Sequence, residues 1–195
     1  MGPAGPKQGG GNIEFMAHGG TRTYAELSAF PDDGLRRELL DGGLIVSPAP
    51  TLRHQRISWR LTLAFGKHIE TRGGGEMFHA PADVILSDIN VVEPDLFFVA
   101  DSQRDILTDA NVQGVPSLII EIVSDARTDR VLKRDTYARF GVPEYWIVDP
   151  DADRIEVYRL TDDRYAKPHI LEAGDQLTYP PLPGFSLDLT AVFAR

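Results

Sequence analysis

An acidic residue interrupts an apolar segment near the middle of the chain. Residues 118–123 read Leu-Ile-Ile-Glu-Ile-Val, a pattern typical of a buried strand except for Glu121. A buried carboxylate needs a cation, a metal ion or its own proton, because burying an unpaired charge is costly. Asp95 stands in a similar setting, directly before the apolar run Leu-Phe-Phe-Val. If these two strands pair, Asp95 and Glu121 meet at one end of a sheet.

Two carboxylates at one sheet end can do metal chemistry. Together with water they form a hard oxygen site that suits Mg²⁺ or Mn²⁺. Such an ion can lower the pKa of a bound water and stabilise charge on a phosphoryl oxygen. The alternative is a salt bridge from Asp95 or Glu121 to an Arg or Lys of a covering helix. The spacing alone leaves both interpretations open.

A second pattern follows on the next predicted helix. Asp129, Lys133 and Tyr137 are spaced four residues apart, so a helix places them on one face. Lys133 could reach a phosphate or orient a water. The spacing by itself favours the alternative, an exposed Asp–Lys pair that contributes only a few tenths of a kcal/mol. Glu38 follows Arg36 and Arg37, so a local ion pair is the first expectation for it.

The longest helical pattern, residues 51–72, concentrates positive charge in an acidic chain. It contains one carboxylate, Glu70, and five basic residues: Arg53, Arg56, Arg60, Lys67 and Arg72. Such a face could bind nucleic acid, although a solvated face is commoner. His54 lies three residues before Ile57 and so points towards the core, where a lone His is more often a hydrogen-bond partner than a ligand.

The rest of the pattern predicts the elements that position these residues. A Thr-x-x-Glu capping box at Thr23 begins a short helix, and apolar residues recur at helical spacing over 51–72. Strand-like segments cover 39–47, 77–86, 91–99, 117–123, 145–148 and 155–160, and a helix covers 129–140. This order predicts an α/β (α+β) fold in which helices cover a mixed sheet.

Length and composition restrict the class of protein. The 195 residues fit one domain, predicted over 21–195, after a Gly-rich flexible tail over 1–20. The 42% hydrophobic and 25% charged fractions exclude a disordered chain or a coiled coil, and the absence of Cys excludes disulfides and a Cys nucleophile. The net charge of −9 argues against a general nucleic-acid coat but not against a local basic cleft.

Some targeting and catalytic patterns are missing from the sequence. It has no apolar run that spans a bilayer and no signal-peptide pattern, so we expect a cytoplasmic protein without membrane partners. It also has no phosphate-binding P-loop, no His-Glu-x-x-His and no Gly-x-Ser-x-Gly. ATPase, zinc-protease and α/β-hydrolase functions therefore have no support.

Several segments, taken in their order, resemble the Uma-two family of predicted restriction endonucleases, in the PD-(D/E)XK nuclease superfamily. The segments are Glu38-Leu39-Leu40-Asp41-Gly42, Ser47-Pro48 with His54, Glu93-Pro94-Asp95, Glu121-Ile122-Val123-Ser124, Asp129 with Lys133 and Tyr137, and the stretch 141–150, Gly-Val-Pro-Glu-Tyr-Trp-Ile-Val-Asp-Pro. The resemblance covers nearly all of the predicted domain, from Thr23 to Phe193.

The resemblance implies a restriction-endonuclease-like fold, with a central mixed sheet flanked by helices and additional C-terminal strands. It implies a hydrolase that cleaves phosphodiester bonds of DNA, in which Asp95, Glu121 and Glu38 bind Mg²⁺ (or Mn²⁺). The superfamily's Lys two residues after the Glu is replaced here by Val123. Lys133 is then the expected substitute, with Tyr137 supporting it. The expected nucleic-acid-binding residues are Arg53, His54, Arg56 and Arg60.

Three function classes follow for this chain, and the third is a structural homodimer whose exposed strands pair between subunits. The first is a metal-dependent DNA endonuclease, for which a homodimer is expected because cutting both strands usually needs two sites. The second is a non-catalytic module of the same fold that binds nucleic acid or protein, favoured by the net charge of −9 and by Val123. Metal binding distinguishes the endonuclease from the other two classes.

Overall fold

The computed structural model describes residues 14–16 and 20–195. The helices are α1 (Tyr24–Ser28), α2 (Leu52–Arg72), α3 (Arg134–Arg139) and α4 (Leu189–Phe193). The strands are β1 (Glu14–Met16), β2 (Arg36–Leu40), β3 (Gly43–Ser47), β4 (Gly75–His79), β5 (Val84–Ser87), β6 (Asn90–Val92), β7 (Leu96–Ala100), β8 (Val112–Gln113), β9 (Leu118–Ile122), β10 (Glu144–Asp149), β11 (Arg154–Thr161), β12 (Arg164–Tyr165), β13 (His169–Glu172), β14 (Gln176–Thr178) and β15 (Ser186–Asp188). A 3₁₀ segment, Asp101–Ile106, and a π-helical segment, Thr128–Lys133, complete the elements.

The strands divide mainly between two mixed sheets. The first has six strands in the order β1-β3-β2-β6-β5-β8, and β5 runs parallel to β8. The second has seven strands, in the order β12-β11-β10-β9-β7-β4 with β13 paired to β11. Its two central strands, β9 and β10, are parallel. The predicted α/β class with mixed sheets and additional C-terminal strands is confirmed, and the strands form two larger sheets.

Prolines split two of the predicted strands. The segment predicted over 77–86 forms β4 and β5 on either side of Pro81, and the segment over 91–99 forms β6 and β7 around Pro94. The predictions of continuous strands were wrong because proline has no N–H to continue a ladder. At both breaks the chain crosses between the two sheets. The second crossing carries Asp95.

The core lies on both faces of the seven-stranded sheet. Helix α2 covers one face with its predicted apolar stripe, of which Ile57, Leu61 and Phe65 are buried. The opposite face holds a second apolar cluster that contains Ile119 and Tyr137. Side chains alternate along a strand, so Glu121 of β9 points to the same face as Ile119. The sheet thereby directs this carboxylate towards α3.

The segment predicted as a tail contributes one strand. Strand β1 lies within 1–20 and pairs antiparallel with β3, so Glu14–Met16 belongs to the fold. The other residues of the predicted tail, apart from Gly20, lie outside the described residues. No helix among the described residues is long and apolar enough to cross a bilayer.

Candidate active site

Three strands converge to bring three carboxylates together. Glu38 lies on β2, which pairs with β6 in the first sheet. Asp95 follows β6 across the proline break and directly precedes β7. Strand β7 pairs with β9 in the register Leu96↔Ile120, and one further step places Asp95 opposite Glu121. All three carboxylates are buried, and we refer to Glu38, Asp95 and Glu121 as the candidate metal centre.

Lys133 reaches two carboxylates of this centre. Its Nζ lies 2.8 Å from Glu38 Oε1 and 2.9 Å from Glu121 Oε1. The Tyr137 hydroxyl donates to the same Glu121 Oε1 over 2.8 Å. Lys133 and Asp129 are both buried, so the alternative of an exposed Asp–Lys pair was wrong. The buried salt bridge, which the sequence left open for Glu121, is present.

The helix that presents Lys133 differs from its prediction. The segment predicted as one helix over 129–140 is π-helical over Thr128–Lys133 and α-helical over Arg134–Arg139. Such short π segments are rare and often accompany functional sites. Asp129 lies at the start and accepts hydrogen bonds from the backbone N–H groups of Ser124 and Asp125, at 3.2 and 3.4 Å. Asp129 thus closes the loop after β9, and burial raises its pKa to about 6.

Asp95 is held by three donor groups from different elements. Its Oδ1 accepts from Arg36 Nη1 over 2.8 Å. Its Oδ2 accepts from the backbone N–H of Ile122 over 2.8 Å and lies 3.0 Å from His54 Nε2. His54 is thus the buried hydrogen-bond partner that its position on α2 suggested. These contacts leave the Asp95 carboxylate little freedom to turn.

Arg36 is the residue of this region that sequence reasoning missed. The local pair expected for Glu38 is long, with Arg36 Nη2 3.8 Å from Glu38 Oε1, and Arg37 instead pairs with Asp33 over 2.6 Å. Arg36 Nη2 also lies 3.6 Å from Glu121 Oε2. The sequence did contain a sign of this position. Arg36 and Glu38 are two residues apart, and alternate residues of a strand share a face, so Arg36 lies on the same face as Glu38.

The charges of the centre shift the pKa values of its members apart. Burial, with repulsion from Asp95 and Glu38, raises the pKa of Glu121 to about 7, although Lys133 and Arg36 oppose the shift. The pKa of Asp95 is lowered in spite of burial, through hydrogen bonding to His54 and the charge of Arg36. The pKa of Glu38 is also lowered in spite of burial, chiefly by Lys133. Separated pKa values of this kind are common at catalytic carboxylates.

The donor chemistry of the centre fits a hard divalent cation. Its donors are carboxylate oxygens, and Glu38 Oε2 is buried without a hydrogen-bond partner among the residues that the structure describes. Within the described residues, however, no three His, Cys, Asp or Glu side chains form a ready metal cluster. Lys133 and Arg36 form ion pairs with the carboxylates instead.

A cleft of about 670 Å³ gives access to the centre. Arg36, His54, Glu93 and Asp95 are among its lining residues, as is Trp59, which is 65% exposed. Glu38, Glu121 and Lys133 do not line the cleft. An approaching ligand therefore meets Asp95 and Arg36 first.

The predicted nucleic-acid-binding residues of α2 are not gathered at this cleft. Arg53 Nε donates to the Pro150 carbonyl over 2.9 Å, and Arg60 Nη1 donates to the Val192 carbonyl over 2.9 Å. Arg56 is exposed, and of the four predicted residues His54 alone lines the cleft. Two of these arginines therefore attach α2 to later parts of the chain.

Comparisons with known proteins agree with the fold. The chain matches the Uma2 (Uma-two) family model, described as "Putative restriction endonuclease", over residues 23–190. It also resembles the crystal structure of "a putative nuclease belonging to DUF820" from Anabaena variabilis, with a TM-score of 0.74 and 17% identity. That match covers 88% of this chain and 97% of the other. No curated protein sequence matches. Because the family model spans most of the sequence, the chain belongs to the Uma2 family.

Proposed function

We propose that the protein is a metal-dependent DNA endonuclease that hydrolyses phosphodiester bonds. Glu38, Asp95 and Glu121 are the proposed ligands of Mg²⁺ or Mn²⁺. The observation that carries the proposal is the convergence of these three buried carboxylates beside a cleft that Asp95 lines. Membership of the Uma2 family supports the proposal, because that family is described as "Putative restriction endonuclease".

The proposed division of roles follows from the contacts. A divalent ion, when bound, supplies an activated water and neutralises charge on the phosphoryl oxygens. Lys133 stays protonated because Glu121 and Glu38 raise its pKa in spite of burial. Its charge is placed to neutralise negative charge that develops at the centre. Tyr137 fixes the Glu121 carboxylate, and His54 fixes that of Asp95.

DNA is the proposed partner at the cleft. The exposed Trp59 offers an aromatic surface on which a base can stack, and Arg36 offers a cation to a phosphate. The predicted contacts through Arg53 and Arg60 require these side chains to leave their backbone carbonyl partners. A homodimer is part of the proposal, because cleavage of both strands uses two centres.

A plasmid-nicking assay with a matched variant tests the proposal. Wild-type protein should nick supercoiled DNA in Mn²⁺ or Mg²⁺ and should not in EDTA. Glu121→Gln should abolish the nicking because it removes a ligand charge. The control is Glu144→Gln, a buried glutamate of the adjacent strand β10 that pairs with Arg159 away from the centre. Nicking that survives in EDTA, or in Glu121→Gln, would contradict the proposal.

A non-catalytic binding module is the second candidate. The observation that favours it is that Lys133 and Arg36 already form ion pairs with the carboxylates, while no ready metal cluster occurs in the described part of the chain. Such a module would bind DNA with equal affinity in EDTA and in Mn²⁺, and it would not cut. A gel-shift titration under both conditions, beside the nicking assay, separates the two candidates.

A further inference from the structure

The guanidinium of Arg36 lies among the three carboxylates of the candidate metal centre. Its Nη1 is 2.8 Å from Asp95 Oδ1, and its Nη2 is 3.6 Å from Glu121 Oε2 and 3.8 Å from Glu38 Oε1. Arg36 Nη2 also donates to the carbonyl of Glu93. One side chain thus touches every member of the centre, as a bound cation would.

The two protein cations of the centre occupy different positions. Lys133 has a side chain only 3% exposed and contacts the Oε1 atoms of Glu38 and Glu121 from the interior. Arg36 is 24% exposed, lines the cleft and faces Asp95 Oδ1 and Glu121 Oε2. A cation that arrives through the cleft therefore meets the place that Arg36 holds, and Lys133 lies behind it.

Hydrogen bonding at this place is incomplete. Arg36 Nε and Glu38 Oε2 are both buried without a partner among the described residues. A guanidinium has five donors in a rigid plane, so it cannot adapt its geometry to satisfy all of these carboxylate oxygens at once. A small spherical ion with ligand distances near 2.0–2.6 Å can draw them closer. Arg36 therefore holds the carboxylates without satisfying them fully.

We propose that Arg36 is a displaceable counterion that takes the place of the divalent cation in the centre. The inference rests on the proposed metal-dependent function. Two positive charges a few ångströms apart repel strongly in a partly buried site, so the metal ion and the guanidinium exclude one another. Metal binding then requires Arg36 to leave the carboxylates and extend into the cleft that it already lines. In the absence of metal, Arg36 keeps the buried negative charges compensated.

Metal-binding calorimetry on DNA-free protein tests this role without relying on activity. Arg36→Met removes the charge and retains a similar side-chain stem. It should bind Mn²⁺ at least about tenfold more tightly than wild type and unfold at lower temperature in EDTA. The matched control is Arg37→Met at the neighbouring position, which pairs with Asp33 and contacts none of the carboxylates. Its Mn²⁺ affinity should equal that of wild type.

The outcomes separate this inference from the proposed function. If wild type binds Mn²⁺ and Glu121→Gln abolishes binding, but Arg36→Met binds no more tightly, the role of Arg36 is refuted and the metal centre stands. If neither wild type nor Arg36→Met binds Mn²⁺, both are refuted. If Arg36→Met does not fold, Arg36→Lys replaces it, because a single ammonium compensates the charge but loses the two-pronged contact. It should still bind Mn²⁺ more tightly than wild type, and equal or weaker binding refutes the inference.

Discussion

Two groups of charged residues lie beside the seven-stranded sheet, each with at least one buried glutamate, and they differ in composition. The candidate metal centre sets three carboxylates against Lys133 and Arg36. The second group, which we call the Glu156 cluster, contains Glu156 and Asp149 with Arg130 and Arg154. It therefore has equal numbers of acidic and basic groups, whereas the centre has one more acidic group than basic groups.

The hydrogen bonding of the two groups differs in the same way. In the Glu156 cluster, Glu156 Oε1 faces both arginines and Oε2 accepts from the Tyr158 hydroxyl over 2.9 Å. In the centre, Glu38 Oε2 has no hydrogen-bond partner within residues 14–16 and 20–195, and the pKa of Glu121 is raised to about 7. An ion-pair group with equal numbers of charges, in which both oxygens of its buried glutamate accept hydrogen bonds, is suited to a structural role, although Arg154 Nε is, like Arg36 Nε, buried without a partner among the described residues. An excess of carboxylate with an open oxygen is suited to a ligand.

The largest expected effect comes from replacing one glutamate of each group with glutamine. Glu121→Gln should reduce plasmid nicking at least about a hundredfold, and Glu156→Gln should leave it within about twofold. Stability should follow the opposite order at pH 8. Glu156→Gln leaves Arg130 without a full partner and should cost about 3 kcal/mol, while Glu121→Gln removes a charge that burial already disfavours. Urea unfolding in EDTA measures the second effect, and equal nicking by both variants would erase the functional distinction.

Replacing the buried cation of each group sharpens the comparison. Lys133→Met leaves Glu38 and Glu121 under-compensated and should cost about 3–5 kcal/mol of stability. It should also slow nicking by about a hundredfold. Arg130→Met should lower stability but not the nicking rate of the folded fraction, measured below its unfolding temperature. A Lys133→Met protein that folds and nicks at the wild-type rate would make Lys133 purely structural.

The pH dependence of stability should also differ between Glu121→Gln and wild type. A glutamate whose folded pKa is raised from 4.5 to about 7 binds its proton more tightly in the folded state. Its contribution therefore makes the unfolding free energy fall as pH rises from about 4.5 to 7. Glu121→Gln should remove that part of the slope, while Asp129, with a pKa near 6, retains a smaller one. Unfolding in EDTA at pH 5, 6, 7 and 8 checks this, and identical slopes would contradict the raised pKa.

The smallest expected effect concerns two tyrosines with equivalent contacts. Tyr137 donates to Glu121 over 2.8 Å and Tyr158 donates to Glu156 over 2.9 Å. Each change to Phe removes one hydrogen bond to a charged group, which contributes roughly 1.5–3 kcal/mol. Both variants should lose comparable stability, and only Tyr137→Phe should slow nicking, by a few fold. If Tyr158→Phe also slowed nicking, the effect of Tyr137→Phe would reflect a general loss of stability and not its contact with Glu121.

The sequence pattern singled out Asp95 and Glu121 as candidate ligands because the pattern around them is local, whereas the role of Glu38 as a ligand was implied by the family resemblance. A charge within an apolar strand identifies Glu121. The four-residue spacing placed Lys133 on a helix face but favoured an exposed pair with Asp129, which was wrong because both residues are buried. The α2 stripe was predictable from periodicity, and the additional C-terminal strands were implied by the resemblance. The meeting of Asp95 and Glu121 followed from assuming that their strands pair, and the register of β7 with β9 places them together.

Tertiary partners explain what the sequence did not predict. Arg36 contacts Asp95 and Glu121, which lie far along the chain, as well as the nearby Glu38. The sequence considered only the local pair with Glu38 and so missed the other two partners. Arg53 and Arg60 looked like a basic surface because their carbonyl partners lie far along the chain. The chain crosses between the two sheets at Pro94, and this crossing decides where Asp95 lies. The apolar pattern continues on both sides of the proline and therefore predicted a single strand.

Mn²⁺ calorimetry on two double variants tests the central claim most directly. Asp95→Asn/Glu121→Gln changes the candidate metal centre, and Asp149→Asn/Glu156→Gln makes the same chemical change in the Glu156 cluster. If the centre holds the metal, wild type and the second variant bind Mn²⁺ with similar affinity, and the first variant, shown to be folded by circular dichroism, does not bind. Equal Mn²⁺ binding by the two double variants, or no binding by folded wild type, would contradict the account.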